Sequence, residues 1–259
     1  MDTLLFKGKT IPYYKGDYFE PHELFPKDFI QGRVISPLEF IHKQEIIKSE
    51  YPIENQTKIY IRSIEELQHS TCLELFDGDG FVAITEEGEI VSVLKKYGSK
   101  VTNFMSHAFA NAMAVGGSKL DCYDCENLGP SYSKRGFIPI CRISFDCYCS
   151  HPNMIRYYGE PDIIFYMYCG DPINVYWQKV KDGDYTPLSD YDYIPRISDI
   201  QASLDMPLND MNYDFAHKFR DMIWGKWNSG LKKEFMFRPY DLMEYVCSDY
   251  ERLESWLRQ

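Results

Sequence analysis

The sequence predicts an α+β fold with a mixed β-sheet. Residues 81–85 and 89–94 are β-branched runs joined by a glycine-containing turn, which is typical of a β-hairpin. From about residue 100 the apolar spacing becomes helical, with Val101, Ala108 and Val115 on one stripe, and a second apolar run begins at Lys119. A strand, a helix and a strand in succession favour a right-handed crossover between parallel strands. Parallel and antiparallel pairs are therefore expected together.

The remaining elements follow from caps and periodicity. Ser36 and Pro37 are placed to begin a helix that ends near Ser49. Ser63 and Glu66 have the spacing of a capping box, which predicts a helix ending near residue 70. Further strands are predicted at 58–61, 119–123, 138–145 and 162–168, and further helices at 128–135, 209–227 and 239–257.

Three regions are expected along the chain. Residues 1–57 are rich in Pro, Tyr and Phe and predict an irregular N-terminal extension, residues 58–169 a core, and residues 170–259 a linker with a helical C-terminal appendage. The two tail helices are expected to pack on the sheet or on each other. A homodimer interface and a partner-recruiting module are the alternatives for the tail.

Charge and composition exclude several partners. The formal net charge is −11 and the pI is about 5.0. Nucleic-acid binding needs clustered Lys and Arg to displace counterions, so no nucleic-acid partner is expected. The sequence has neither an apolar run of membrane-spanning length nor a signal-peptide core, which predicts no membrane partner and a cytoplasmic location. A cationic or neutral substrate is favoured.

The eight cysteines are predicted to be reduced and free of metal. A zinc site is the alternative, because Cys122, Cys125, Cys147, Cys149 and His151 offer enough soft ligands for a tetrahedral centre. Against zinc, Cys122 falls in a predicted strand and no glycine-rich knuckle accompanies the pair. The remaining cysteines have apolar neighbours and are expected to be small core residues: Cys72, Cys141, Cys169 and Cys247.

The turn after the second hairpin strand is the first candidate site. It contains Lys95, Tyr97, Gly98, Ser99 and Lys100. A turn that ends a strand and opens a helix presents unpaired backbone N–H groups and the positive end of the helix dipole, which together hold a pyrophosphate. An ordinary strand-to-helix turn is the alternative interpretation.

A second motif lies in the short helix predicted at 128–135. Tyr132 stands four residues before Gly136, which Phe137 follows, and Leu128 lies one helical turn before Tyr132. The order of phosphate-binding turn, amphipathic helix, strand and Tyr-bearing helix resembles that of the GNAT superfamily of N-acetyltransferases, from about residue 58 to residue 168. The resemblance implies a GNAT-like acyl-CoA N-acyltransferase fold with acetyl-CoA as co-substrate.

The resemblance also implies roles for individual residues. The strand before the turn would pair with the pantetheine arm of acetyl-CoA, and backbone N–H groups of Ser92, Val93 and Leu94 would stabilise the oxyanion of the intermediate. Tyr132 would protonate the departing CoA thiolate, and Glu89 would act as general base. The amine of a small molecule or protein would attack the thioester directly.

Two positions depart from the family pattern. Lys100 stands where the family carries Gly or Ala, and its side chain would either crowd the pyrophosphate or pair with it. Cys125 stands where many members carry an Asn seven residues before the catalytic Tyr, and Asn127 is the candidate substitute. These departures keep a second hypothesis open, namely a catalytically inactive GNAT-like binding or assembly protein that uses its terminal extensions.

Overall fold

The computed structural model describes residues 2–6, 9–13, 30–125, 128–133, 135–145, 153–170, 182–183, 208–209, 211–232 and 239–258. The chain divides into two compact units. We call the described residues within 25–123 and 145–162 the central unit, and those within 1–24, 124–144 and 163–259 the terminal unit.

The strands are β1 Asp2–Phe6, β2 Lys9–Tyr13, β3 Arg33–Ile35, β4 Thr71–Leu75, β5 Gly80–Ile84, β6 Ile90–Lys95, β7 Lys119–Tyr123, β8 Phe137–Ile143 and β9 Ile163–Tyr168. The helices are α1 Pro37–Glu50, α2 Ile53–Gln56, α3 Ile64–Leu67, α4 Phe104–Ala114, α5 Leu128–Ser133, α6 Met154–Tyr158, α7 Tyr213–Lys226, α8 Pro239–Ser248 and α9 Tyr250–Leu257. Helices combined with antiparallel strands confirm the predicted α+β class.

The central unit is built on an antiparallel sheet in the order β3, β4, β5, β6. Helix α1 covers one face, where Phe40 and Ile47 join Phe81, Val91 and Leu94 in a buried apolar cluster. Helix α4 packs on β5 and β6. The sheet therefore lies between helices, with β6 at one edge.

The N-terminal region differs from the irregular extension predicted for it. β1 and β2 pair as an antiparallel hairpin in the terminal unit. β3 and α1 belong to the central unit, where β3 pairs with β4. β4 was not predicted because its residues 72–75 are all buried, so the strand lacks the alternation of buried and exposed residues that marks a half-exposed strand.

Capping signals predicted helix ends well. Ser36 accepts a hydrogen bond from the Glu39 N–H at the start of α1, and Ser63 and Glu66 form both bonds of the predicted capping box. The strand predicted at 58–61 is wrong: Ile59 N–H instead donates to the Gln56 carbonyl in a turn after α2. Helix α3 also ends at Leu67, earlier than predicted.

The terminal unit carries the predicted helical tail. β8 and β9 pair antiparallel; α7 packs on both strands and α8 packs on β8, as expected for helices that cover a sheet. Helix α7 begins at Tyr213 rather than near residue 209, because the backbone of Asn209 and Met211 pairs with Arg142 of β8. The helix predicted at 239–257 is divided at Asp249. Residues 171–181 and 184–207 of the predicted linker lie outside the described residues.

Among the described residues, every helix is too short or too polar to cross a lipid bilayer.

Candidate functional site

Strand β6 carries a β-bulge. Val91 and Leu94 stay paired with β5, so Ser92 and Val93 together oppose the single residue Val82. Ser92 has a φ of 58°, in the left-handed region that a non-glycine residue seldom adopts. A bulge leaves one residue outside the hydrogen-bonded ladder and redirects its backbone groups.

The bulge lies on an edge strand. In the central unit β7 meets this edge through a parallel bridge between Glu89 and Lys119, just before β6 begins. Beyond that bridge, β6 is the last strand of its sheet, so among the described residues of the central unit its outer edge has no neighbouring strand. An extended ligand can pair with such an edge as an additional strand.

The residues expected to bind the acyl donor lie on this bulged edge. Leu94 is buried in the cluster under α1, whereas Ser92 and Val93 are half-buried. Leu94 is therefore held by the core while the backbone beside it departs from the ladder. The oxyanion role of these N–H groups remains a prediction.

A type II β-turn follows β6. Ser99 N–H donates to the Lys96 carbonyl over 3.2 Å, and Gly98 has a φ of 71° whereas Tyr97 keeps a negative φ. Asp79 braces this turn: its carbonyl accepts from Lys96 N–H at 2.8 Å and its Oδ2 accepts from Ser99 Oγ at 2.9 Å. A Cβ at Gly98 would meet no atom within 4 Å, so the outer face of the turn is open.

The structure corrects one premise of the pyrophosphate prediction. Helix α4 begins at Phe104, not near Lys100. The intervening chain forms a loop because Ser99 Oγ accepts from Val101 N–H at 3.2 Å and Lys95 Nζ donates to the Val101 carbonyl at 2.7 Å. The turn and the helix start are therefore separate features, and the first helical N–H groups belong to Phe104 and the residues after it.

Tyr132 lies in α5 of the terminal unit. It is 8% exposed, and its ring packs edge-on against Tyr166 with 5.8 Å between the ring centroids. Gly136 after this helix has a φ of 85°, and a Cβ there would lie 2.2 Å from the Gly170 carbonyl oxygen. Glycine four residues after Tyr132 is therefore required by packing. The catalytic role of Tyr132 remains a prediction.

The acidic residues around the hairpin differ in their surroundings. Glu89 is half-buried beside the parallel bridge to Lys119, and its role as general base remains a prediction. Asp79 is engaged in bracing the turn, and Asp77 is exposed in the short turn between β4 and β5. Asn127 lies outside the described residues.

Cys72, Cys141 and Cys169 are buried in the core, as predicted, whereas Cys247 is only half-buried and the prediction for it is wrong. Burial raises the pKa of the Cys72 thiol to about 11 and raises the pKa values of the Cys141 and Cys169 thiols above their usual range. These thiols stay protonated near neutral pH and are poor nucleophiles. Of the zinc ligands considered, Cys122 is half-buried in β7 and Cys125 is buried. The others lie outside the described residues: Cys147, Cys149 and His151.

Sequence reasoning missed a polar clamp on α4. Asn111 Oδ1 accepts from Gly32 N–H at 2.7 Å, and its Nδ2 donates to the Ile30 carbonyl at 2.8 Å. His107, one turn earlier, accepts from Ile30 N–H at 3.5 Å, and burial lowers its pKa. The clamp fixes the segment before β3 to α4. Its signal in the sequence was a pair of polar residues at helical spacing within an apolar stripe.

A buried carboxylate on β4 is ion-paired with two cationic side chains. Glu74 is 7% exposed, and it accepts from Lys43 Nζ at 2.5 Å and from the Arg33 guanidinium. Burial acts to raise the pKa of Glu74, but these bonds lower it below its usual value. Glu74 is therefore an ion-paired structural group. It lies in an open depression of about 330 Å³, lined by Ile30, Gln31, Arg33, Glu74, Phe76 and Asp77.

No protein-family model matches the sequence, and no curated protein matches it either. The chain is similar to the solved structure of a GCN5-related N-acetyltransferase from Rhodopseudomonas palustris, which is also described as a class-II aminotransferase. That match has 14% identity and a TM-score of 0.33, and covers 54% of this chain and 94% of the other. It is also similar to a probable acetyltransferase of the GNAT family from Chromobacterium violaceum, with 12% identity and a TM-score of 0.36, covering 60% of this chain and 91% of the other. Both TM-scores are below 0.5.

Proposed function

We propose that the protein is an acetyl-CoA-dependent N-acetyltransferase that transfers an acyl group to an amine of a small molecule or protein. The bulge at Ser92 and Val93 on the edge of β6 is the observation that carries this proposal. An acyl-CoA has an extended pantetheine arm with amide groups, which pair with a free strand edge as another strand would. The bulge supplies N–H groups that are redirected out of the ladder next to that arm.

Acyl transfer from a thioester needs a hydrogen-bond donor that stabilises the developing oxyanion. Backbone N–H groups at a bulge serve this purpose because they are held rigidly by the flanking paired residues and need no reorganisation. Val91 and Leu94 provide that anchoring on either side of the bulge. The attacking amine must be neutral, and we assign Glu89 as the base that removes its proton.

The leaving thiolate needs a proton, and we assign its delivery to Tyr132. The net charge of −11 supports an acceptor that is a neutral or cationic amine. Reduced cysteines suit a cytoplasmic enzyme, since disulfides are rare in that compartment.

The experiment that tests the proposal removes the bulge and keeps the sheet. Deleting Ser92 leaves Val93 opposite Val82 and preserves the pairs made by Val91 and Leu94. The wild-type protein should bind acetyl-CoA in calorimetry, and the deletion variant should lose at least about tenfold in affinity because the edge becomes a regular strand. Circular dichroism and thermal unfolding check that the variant is folded.

A variant at a paired position is the control. Val91→Ile keeps the bulge and should bind acetyl-CoA as the wild type does. Absence of acetyl-CoA binding by the wild-type protein at millimolar ligand would contradict the enzymatic proposal. It would favour the inactive GNAT-like binding or assembly protein.

The role of Tyr132 is tested by Tyr132→Phe. This change keeps the ring that packs on Tyr166 and removes only the hydroxyl. The turnover number should fall by about 10²-fold, as expected for loss of a general acid, while acetyl-CoA affinity changes little. Tyr166→Phe is the matched control from the same ring pair and should keep its turnover number. Unchanged turnover in Tyr132→Phe would make this residue structural.

A further inference from the structure

The turn after β6 presents an aromatic surface. Tyr97 at the second position of the turn is 50% exposed, and its ring lies against the Tyr51 ring with 5.1 Å between the centroids. Tyr51 is half-buried against the core under α1, and its hydroxyl donates to the Lys95 carbonyl. The Tyr97 ring therefore packs against Tyr51, which is held both by the core and by the end of β6.

The backbone that carries Tyr97 is braced. Two bonds to Asp79 and the turn's own hydrogen bond hold Lys96 and Ser99 in place. An aromatic ring on a braced turn loses little freedom when a ligand covers it, so stacking there costs little entropy. Tyr97 is thus preorganised to receive a planar group.

Two exposed lysines stand near Tyr97 in the sequence. Lys96 directly precedes Tyr97 and Lys100 follows it by three residues, and both are exposed, whereas the Lys95 ammonium donates to the Val101 carbonyl. Lysine binds phosphate as a mobile point charge. A ligand that combines a planar base with phosphate groups matches this combination of ring and charges.

We propose that Tyr97, Lys96 and Lys100 form the subsite for the nucleotide end of the acyl donor. The adenine base stacks on Tyr97, and Lys96 and Lys100 bind the 3′-phosphate of the ribose. This inference rests on the proposed function, since it names the part of acetyl-CoA that the turn recognises. Lys100, which departs from the family pattern, thereby gains a role in cofactor selection.

Coenzyme A and dephospho-coenzyme A provide the test because they differ only in the 3′-phosphate. Calorimetry on the full-length wild-type protein should show coenzyme A binding about tenfold more tightly than dephospho-coenzyme A. The double variant Lys96→Gln, Lys100→Gln should bind the two ligands equally. Lys226→Gln with Lys232→Gln changes the same charge in the terminal unit and should keep the preference.

Stacking is tested at Tyr97. Tyr97→Ala should lower the affinity for both coenzyme A and dephospho-coenzyme A by about tenfold, since loss of an aromatic ring that stacks on a base has an effect of this size. Tyr97→Phe keeps the ring and should bind as the wild type does. Tyr60→Ala removes another exposed tyrosine, 61% exposed, and should change neither affinity.

The outcomes separate this inference from the proposed function. Acetyl-CoA binding with no preference for the 3′-phosphate and no effect of Tyr97→Ala would overturn the subsite and leave the acetyltransferase proposal standing. Absence of any binding by the wild-type protein to acetyl-CoA or coenzyme A would overturn both.

Discussion

At the scale of single residues, Ser92 shows how a local conformation creates a candidate site. The residue occupies the left-handed region inside a strand, although β-strands require extended backbone. Such a conformation in a non-glycine residue costs on the order of 1–3 kcal/mol and persists only when surrounding structure imposes it. The paired residues on both sides of the bulge impose it here.

The positive φ predicts an unusual order of stabilities at position 92. Strand propensity alone ranks Val above Ser and Gly, but a β-branched side chain is poorly tolerated at positive φ. We expect Ser92→Val to lower the free energy of unfolding by about 1–3 kcal/mol and Ser92→Gly to keep or raise it. Urea denaturation measures both variants.

The same substitutions at Thr71 are the control. Thr71 lies in β4, has no positive φ, and should follow the usual order in which Val is more stable than Gly. A Ser92→Val variant as stable as the wild type would show that the bulge is not held in this conformation in solution.

At the scale of elements, the junction between α5 and β8 depends on one close approach of backbones. Gly136 accepts from Cys169 N–H at 2.9 Å, which joins the start of β8 to the end of β9. The helix with Tyr132 enters this junction directly. The position of Tyr132 in the terminal unit therefore depends on the turn at Gly136 between α5 and β8, as well as on the contacts of the Tyr132 side chain.

Replacing Gly136 by Ala should be severely destabilising. The substitution combines a positive φ with a Cβ 2.2 Å from the Gly170 oxygen, so we expect the free energy of unfolding to fall by about 3 kcal/mol or more. Gly116→Ala is the control, because Gly116 has a φ of 97° but no atom within 4 Å of its would-be Cβ. It should cost about 1 kcal/mol. Equal losses at both sites would contradict the close approach.

At the scale of the whole molecule, each compact unit buries reduced thiols. Cys72 lies in the core of the central unit, and Cys141 and Cys169 lie in that of the terminal unit. Burial penalises the thiolate, so folding favours the protonated form of each. The free energy of unfolding is therefore expected to decrease at alkaline pH.

We expect stability to fall as the pH rises above about 9. Below this ordinary pKa the thiols are protonated in both the folded and the unfolded protein, so their contribution to the free energy of unfolding is fully present. Above it the unfolded thiols ionise while the folded ones keep their protons, so for Cys72 the loss continues up to its folded pKa of about 11. Each such thiol contributes at most about 1.4 kcal/mol per pH unit. Urea midpoints at pH 8 and pH 10 measure the effect.

The Cys72→Ala variant is the control for this dependence. It should be less stable than the wild type at pH 8, because a buried side chain is truncated, and should lose less additional stability at pH 10. An identical pH dependence in both proteins would show that other groups cause the decline.

Local signals in the sequence predicted much of the fold. The cap at Ser36 and the capping box at Ser63 are complete within a few residues, and both helix starts were predicted correctly. At the end of α4, Gly117 N–H donates to the Ala112 carbonyl in the helix-ending motif that glycines favour. The Tyr and Gly spacing after β7 was likewise visible before any contact was known.

Tertiary structure alone decided the features that carry the proposal. The bulge at Ser92 has no sequence signal, because a residue is pushed to positive φ only when the flanking residues are held in register by a neighbouring strand. The start of α4 was misplaced because side-chain bonds of Ser99 and Lys95 hold the preceding loop out of the helix. The sequence by itself thus determined where helices and the hairpin form, since these depend on nearby residues. Which strand lies at the sheet edge, where its ladder is broken and which groups brace the turn depended on contacts between distant segments.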